Sequence, residues 1–194
     1  MSSPAERYAA SRQRARHGDL AAFEESLSFA LDPFQREACE AVAEGHSVLV
    51  AAPTGAGKTL VGEYAVRHAF VRGAKSFYTT PIKALSNQKY QDLRAVYGAD
   101  SVGLLTGDTS INPHADIVVM TTEVLRNMIY AGSDALDRLG FVVLDEVHYL
   151  ADRYRGSVWE EVIIHLQEST AIVALSATVS NAEEFGAWLR EVRG

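Results

Sequence analysis

An α/β fold with a mainly parallel sheet and helices on both faces is predicted by three features of this sequence. Short β-rich runs alternate with helical patterns from about residue 47 onward, the arrangement that builds doubly wound sheets. The runs VLVAA, IVVM and FVVL are apolar at every position, as strands covered by helices on both sides must be. No internal repeat, low-complexity segment or linker interrupts the pattern, so one layered domain accounts for it.

The elements follow in order. Residues 4 to 28 are rich in Ala, Glu and Arg and predict a helical N-terminal extension over residues 1–28. Arg7, Arg12, Arg14 and Arg16 cluster there; a solvated helical face is the ordinary reading, a nucleic-acid-binding arm the alternative. Asp32 as N-cap and Pro33 at the first helical position open a helix over Pro33 to Glu44. Strands are predicted at Ser47 to Ala52, Ser76 to Thr80, Val102 to Thr106, Ile117 to Thr121, Phe141 to Asp145 and Ile172 to Ser176. Helices are predicted at Lys58 to Arg72, Ile82 to Tyr97, Thr122 to Tyr130, Ser157 to Gln167 and Ala182 to Val192. In such a sheet the ligand lies beyond the carboxyl ends of the strands.

Composition narrows the class. With 47% hydrophobic and 22% charged residues the 194-residue chain can bury a substantial core and is not of disordered type. A net charge of -7 counts against a nucleic-acid binder, although a small basic groove fits on an acidic protein. The single cysteine, Cys39, excludes an internal disulfide and suits a reducing compartment. The first thirty residues hold no long apolar stretch, so neither a secretory leader nor a membrane span is expected, and a cytoplasmic location is.

The strongest local signal is AAPTGAGKT, Ala51 to Thr59, which follows a strand and opens a helix as a phosphate-binding loop does. Gly55 and Gly57 allow backbone conformations in which successive N–H groups point at phosphate oxygens, and the helix start adds its positive end. The binding set is Thr54, Gly55, Ala56, Gly57, Lys58 and Thr59, with Lys58 on the β- and γ-phosphates and the Thr59 hydroxyl on Mg²⁺. Ala52 stands where the usual pattern has glycine. About ninety residues on, FVVLDEVHYL ends a strand in Asp145 and Glu146, and a nucleotide hydrolase needs an acid there. Asp145 fits the Mg²⁺-organising acid and Glu146 the group that polarises the attacking water; a surface turn also tolerates Asp-Glu. No cluster with ligand spacing surrounds His148, which counts against a metal role for it.

DEVH at Asp145 to His148, taken with the phosphate loop, resembles motif II of superfamily 2 helicases of the DExH-box branch. FALDPFQ, TTPIKALSNQKY, LTGD, MTTEVLRNM, DEVHYLADRYRGSVWEE and SAT match the same family in order, and the longer ones are similar to the superkiller-like RNA helicases. The resemblance spans residues 29 to 191 and implies a RecA-like P-loop NTPase domain over 29–194. It implies that ATP and Mg²⁺ are the cofactors, that Gln35 bonds the adenine edge and that Phe29 packs on its face. It implies strand contacts from Pro81, Lys83, Ala84, Thr106, Gly107, Thr121, Glu123 and Arg126, and coupling through His148, Ser176 and Thr178. Held alone, Thr121 and Glu123 also suit a helix cap, Lys83 an ordinary surface lysine, and Arg153 and Arg155 either a strand or nearby acids.

The family is built of two tandem RecA-like domains, so the resemblance implies that a second domain, with its arginine fingers, lies outside these residues. The chain is then expected to be a fragment that binds nucleotide weakly and hydrolyses it slowly or not at all. The partners implied are single-stranded RNA, that second domain and the RNA-decay machinery, with no membrane. Two other readings compete with an RNA-translocating motor: a related DNA-repair helicase, and a non-catalytic ATP-responsive binding module. Nothing in the residues reads a 2′-hydroxyl unambiguously.

Overall fold

In the computed structural model, residues 18–147, 156–177 and 182–193 are described. Helix α1 is described over residues 18–26, and α2 runs Pro33–Glu44. Then come β1 (Val48–Ala51), α3 (Thr59–Val71), β2 (Lys75–Thr80), α4 (Lys83–Tyr97), β3 (Val102–Thr106), β4 (Thr109–Ile111), β5 (Ile117–Thr121) and α5 (Thr122–Tyr130). A 3₁₀ turn at Asp134–Leu136 leads into β6 (Leu139–Leu144), α6 (Gly156–His165), β7 (Ala171–Ser176) and α7 (Ala182–Arg193).

The seven strands form one sheet in the order β1-β7-β6-β2-β5-β3-β4. Every pairing is parallel except β3 with β4. The predicted α/β sheet is therefore present, with one addition. Residues 109–111 form a short antiparallel edge strand that polar Thr109 and Ser110 did not advertise. The strand predicted from Phe141 begins earlier, at Leu139, where a register shift lets Lys75 pair with Leu139. It ends at Leu144, leaving Asp145 in the turn.

Alternation along the strands divides the core between the two faces. Tyr78, Val119, Val143, Val173 and Leu175 meet α1 to α4 through residues such as Phe23, Val42, Tyr64 and Leu93. Phe77, Val118, Val142, Leu144 and Ile172 meet α5 to α7 through Leu125, Trp159, Ile163 and Leu189. Apolar burial on both faces explains why these strands read as unbroken hydrophobic runs. Burying each such side chain contributes about 1.5–3 kcal/mol.

The described part of the N-terminal extension joins this core. Leu20 and Phe23 are buried, the Phe23 ring lies 5.2 Å from that of Tyr64, and Asp19 Oδ2 sits 2.7 Å from His68 Nδ1 on α3. At the other end, Arg193 donates to the carbonyls of Leu166, Gln167 and Thr170 at 2.6–2.7 Å, holding the end of α7 against the turn that enters β7. Among the described residues no helix is long and apolar enough to cross a membrane.

Candidate nucleotide site and strand-binding edge

Parallel strands deliver their carboxyl ends to one edge of the sheet, and the motifs read from the sequence sit on that edge. Strands β1, β7 and β6 end in the phosphate loop, in Ser176 and in Asp145–Glu146. Strands β2, β5 and β3 end in Pro81, Thr121 and Thr106. The order across the sheet thus sorts the motifs into two adjoining groups, with β6 beside β2 at the boundary.

The phosphate loop bridges β1 and α3. Its base is fastened to β7 by the Ala52 N–H, which donates to the Ser176 carbonyl at 3.1 Å. Gly55 and Gly57 have φ of +84° and +79°, conformations that favour glycine. Gly57 is needed for space as well, because a Cβ there would come within 2.5 Å of Gln35 Nε2. The Gln35 amide is buried and used at both ends. Its Nε2 donates to the Gly57 carbonyl at 3.0 Å, and its Oε1 accepts from the Asp32 N–H at 2.9 Å. Gln35 therefore holds the start of α2 to the loop, a job the sequence did not suggest, while Phe29 nearby in sequence is 56% exposed.

Lys58 is only 5% exposed, and its ammonium finds no hydrogen-bond or ion-pair partner among the described residues. A lysine packed here with no acid on its ammonium suits an anionic ligand. The Leu60 and Val61 N–H groups at the start of α3 already donate to the Gly57 and Lys58 carbonyls at 3.2 and 3.1 Å, so the helix start attracts an anion chiefly through its positive end. Asp145 and Thr59 are too few protein ligands to cage a metal, and the described residues hold no cluster of three His, Cys, Asp or Glu that could. One carboxylate and one hydroxyl are nonetheless the sparse kind of protein donor set that Mg²⁺ accepts when phosphate oxygens and waters complete its shell.

Asp145 is held from three directions. Its N–H donates to the Thr79 carbonyl at 3.0 Å, its Oδ1 accepts from the Glu146 N–H at 2.9 Å, and its Oδ2 accepts from the Tyr78 hydroxyl at 2.7 Å. Burial pushes the Tyr78 phenol well above its ordinary pKa, and the Asp145 carboxylate adds to the shift. Glu146 has φ of +59°, a left-handed conformation that costs a non-glycine residue about 1–3 kcal/mol. It turns the chain at the strand tip directly after Asp145. His148, Thr178, Arg153 and Arg155 lie outside the described residues.

On the other half of the edge, Pro81 is half-buried and Lys83 and Ala84 are exposed at the start of α4. Lys83 Nζ is bonded to Asp108 Oδ2, and Asp108 Oδ1 accepts from Thr106 Oγ1 at 3.0 Å. Hydrogen bonds from Lys83 and then Thr106 hold the Asp108 carboxyl below the usual carboxylate range. The structure thereby unites Lys83, Thr106 and Gly107 through an acid that the sequence reading quoted within LTGD but did not single out. Thr121 takes the N-cap position of α5 without a side-chain cap bond, so a capping role does not account for its hydroxyl. Glu123 is exposed, and Arg126 Nε lies 3.8 Å from Glu161 Oε2 on α6. Thr121 and Arg126 are each half-buried, facing less solvent than Lys83.

Sheet order, loop and strand-tip acids together define the class, a RecA-like P-loop α/β domain. A family model for the DEAD/DEAH box helicases matches residues 32–185, and the chain belongs to that family. It is 64% identical over 176 residues to a probable helicase HelY of Mycobacterium tuberculosis, covering 91% of this chain and 19% of that protein. The antiviral helicase SKI2 of Saccharomyces cerevisiae is 51% identical over 164 residues, covering 84% and 13% respectively. A chloroplastic DExH-box ATP-dependent RNA helicase, DExH15 of Arabidopsis thaliana, is 49% identical over 172 residues, covering 86% and 15%. The superkiller-like resemblance of the longer motifs is borne out by these relatives, of whose length the chain spans a fifth or less. Among solved structures, that of the DUF1998 helicase MrfA bound to DNA and AMPPNP matches with a TM-score of 0.74 at 24% identity, over 90% of this chain and 28% of that one; it supports the fold.

Proposed function

We propose that the chain is the ATP-binding motor domain of an ATP-dependent DExH-box RNA helicase. In this reading, phosphates lie on the loop from Thr54 to Thr59, with Lys58 neutralising their charge. Phe29 offers its face to the adenine, and Gln35 meets the base edge from its place against the loop. Thr59 and Asp145 hold Mg²⁺, which when bound offsets charge on the transferred phosphoryl group. Glu146 takes or orients the proton of the attacking water. Pro81, Lys83, Ala84, Thr106, Gly107, Thr121, Glu123 and Arg126 grip a single strand along its backbone, and Ser176, with His148 and Thr178, relays nucleotide state. The activity of the whole protein, with a second RecA-like domain and RNA-decay partners, belongs to the same proposal.

The observation that carries it is the sorting of motifs along one edge, nucleotide residues on three adjacent strands and strand-binding residues on the next three. Backbone N–H groups and hydroxyls at strand ends can hold phosphates without a basic surface, which reconciles the net charge of -7 with a nucleic-acid partner. The names of the relatives favour RNA as the strand. The test is ATP turnover by the full-length polypeptide with single-stranded RNA or DNA added, beside a Glu146→Gln variant. RNA should stimulate, and the variant should retain ATP while losing turnover by about 10²-fold or more. Stimulation by DNA alone would sink the RNA reading, and a variant that still turned over at the wild-type rate would sink the role of Glu146.

A further inference from the structure

We propose that Tyr78 is a positioning residue for the motif II acid: its buried hydroxyl fixes Asp145 Oδ2 and so sets how the carboxylate meets a divalent cation. The inference rests on the assignment of Asp145 to Mg²⁺ made above.

Register places the two groups together. Tyr78 pairs with Val143 on the α3–α4 face, and Asp145 follows just past the end of β6, its N–H bonded to the carbonyl of Thr79, the residue after Tyr78. Tyr78 is fully buried, and a buried tyrosine hydroxyl requires a partner. Its bond to Asp145 Oδ2, at 2.7 Å, supplies one. With the Glu146 N–H on Oδ1, each carboxylate oxygen carries one donor and keeps lone pairs for a cation or its waters. Two donors on opposite oxygens prevent the carboxylate from rotating.

The ring that carries the hydroxyl is itself clamped. Gly62 of α3 approaches so closely that an added Cβ would lie 3.3 Å from Tyr78 Cε2. From α4, Lys89 Nζ stands 5.2 Å from the ring centroid, within cation–π range, and is ion-paired at 3.0 Å with Glu63 of α3. Phenylalanine would fill the same space without the donor. The hydroxyl is therefore what this position adds to the nucleotide site.

The test measures binding of a fluorescent ATP analogue to the 194-residue chain across a Mg²⁺ titration, starting in EDTA. Tyr78→Phe should keep the metal-free affinity within about twofold and raise the Mg²⁺ concentration at half-effect by about tenfold, the loss expected for one hydrogen bond to a charged group. Asp145→Asn should abolish the Mg²⁺ response, and adding Tyr78→Phe to it should change nothing further. A second measurement does not depend on the variant's folding: the Tyr78 hydroxyl proton, followed by NMR in the wild-type chain, should shift on Mg²⁺ addition with nucleotide bound. A folded Tyr78→Phe chain with an unmoved Mg²⁺ midpoint, or a hydroxyl proton indifferent to Mg²⁺, overturns the proposal. An Asp145→Asn chain that kept the full Mg²⁺ response would overturn the assignment of Asp145 itself, and the role of Tyr78 with it.

Discussion

Gly57→Ala tests the geometry of the phosphate loop through two costs that can be separated. The first is conformational: at φ +79° a Cβ meets its own backbone, for about 1–2 kcal/mol. The second is the neighbour. The new methyl would stand 2.5 Å from Gln35 Nε2, and since that atom ends a flexible side chain the amide withdraws rather than the backbone. Withdrawal breaks the 3.0 Å bond to the Gly57 carbonyl and loosens the 2.9 Å bond from Asp32 N–H, at about 0.5–1.5 kcal/mol each. The single variant should lose about 2–5 kcal/mol in urea unfolding followed by circular dichroism. In a Gln35→Ala background the amide is already gone, so the same substitution should cost only the conformational part, about 1–2 kcal/mol. Equal costs in both backgrounds would refute the Gln35 contact, since a double-mutant cycle reads zero for groups that do not interact. A cost under about 0.5 kcal/mol would refute the loop conformation as well.

Two further outcomes follow from the electrostatics. Burial, with Glu24 and Glu40 adding, pushes the Cys39 thiol up to about 12, so it should resist alkylation at pH 8 until the chain unfolds. The unfolded thiol ionises first, so this group's contribution to stability is complete below pH 9 and is lost as pH climbs toward 12; a Cys39→Ala chain should show a shallower alkaline decline, and an unchanged decline would refute the linkage. Asp108→Asn removes the acid that occupies Lys83, and should tighten binding of a single-stranded oligonucleotide about two- to fivefold at low salt, the range of an exposed ion pair, fading as salt rises; weaker binding would mean that Asp108 helps to hold the strand.

What was legible in the sequence was whatever local pattern encodes. Fully apolar runs gave the strands, Asp32 and Pro33 gave the start of α2, and glycine, lysine and threonine after a strand gave the phosphate loop. Strand order is different, because it depends on which crossovers pack, and no residue announces its neighbour in the sheet. That is why Asp145 was recognised and Tyr78 was not: the two are 67 residues apart and meet only because β6 lies beside β2. Gln35 was assigned to adenine by its place in a motif, and its bonds to the loop appear only once α2 has packed. The edge strand at residues 109–111 was missed because its stability comes from pairing with β3 rather than from hydrophobic content.

The tip of β2 shows how the two halves of the edge are joined. Three consecutive residues divide between the two halves. Tyr78 holds the Asp145 carboxylate, and the Thr79 carbonyl takes the Asp145 N–H while its hydroxyl donates to the Val143 carbonyl at 3.1 Å. Thr80 bonds through Oγ1 to the Ile82 carbonyl at 3.0 Å and to Ser86 Oγ at 2.7 Å, and its carbonyl accepts from Thr122 Oγ1 at 3.3 Å. The first two residues thus grip the tip of β6, and the third grips the starts of α4 and α5, where the segments proposed to bind the strand begin. All three are buried, and packed interiors transmit displacement rather than absorbing it. In the proposed reading, a nucleic-acid backbone that displaced Pro81 to Ala84 would act on Asp145 through this one buried strand tip.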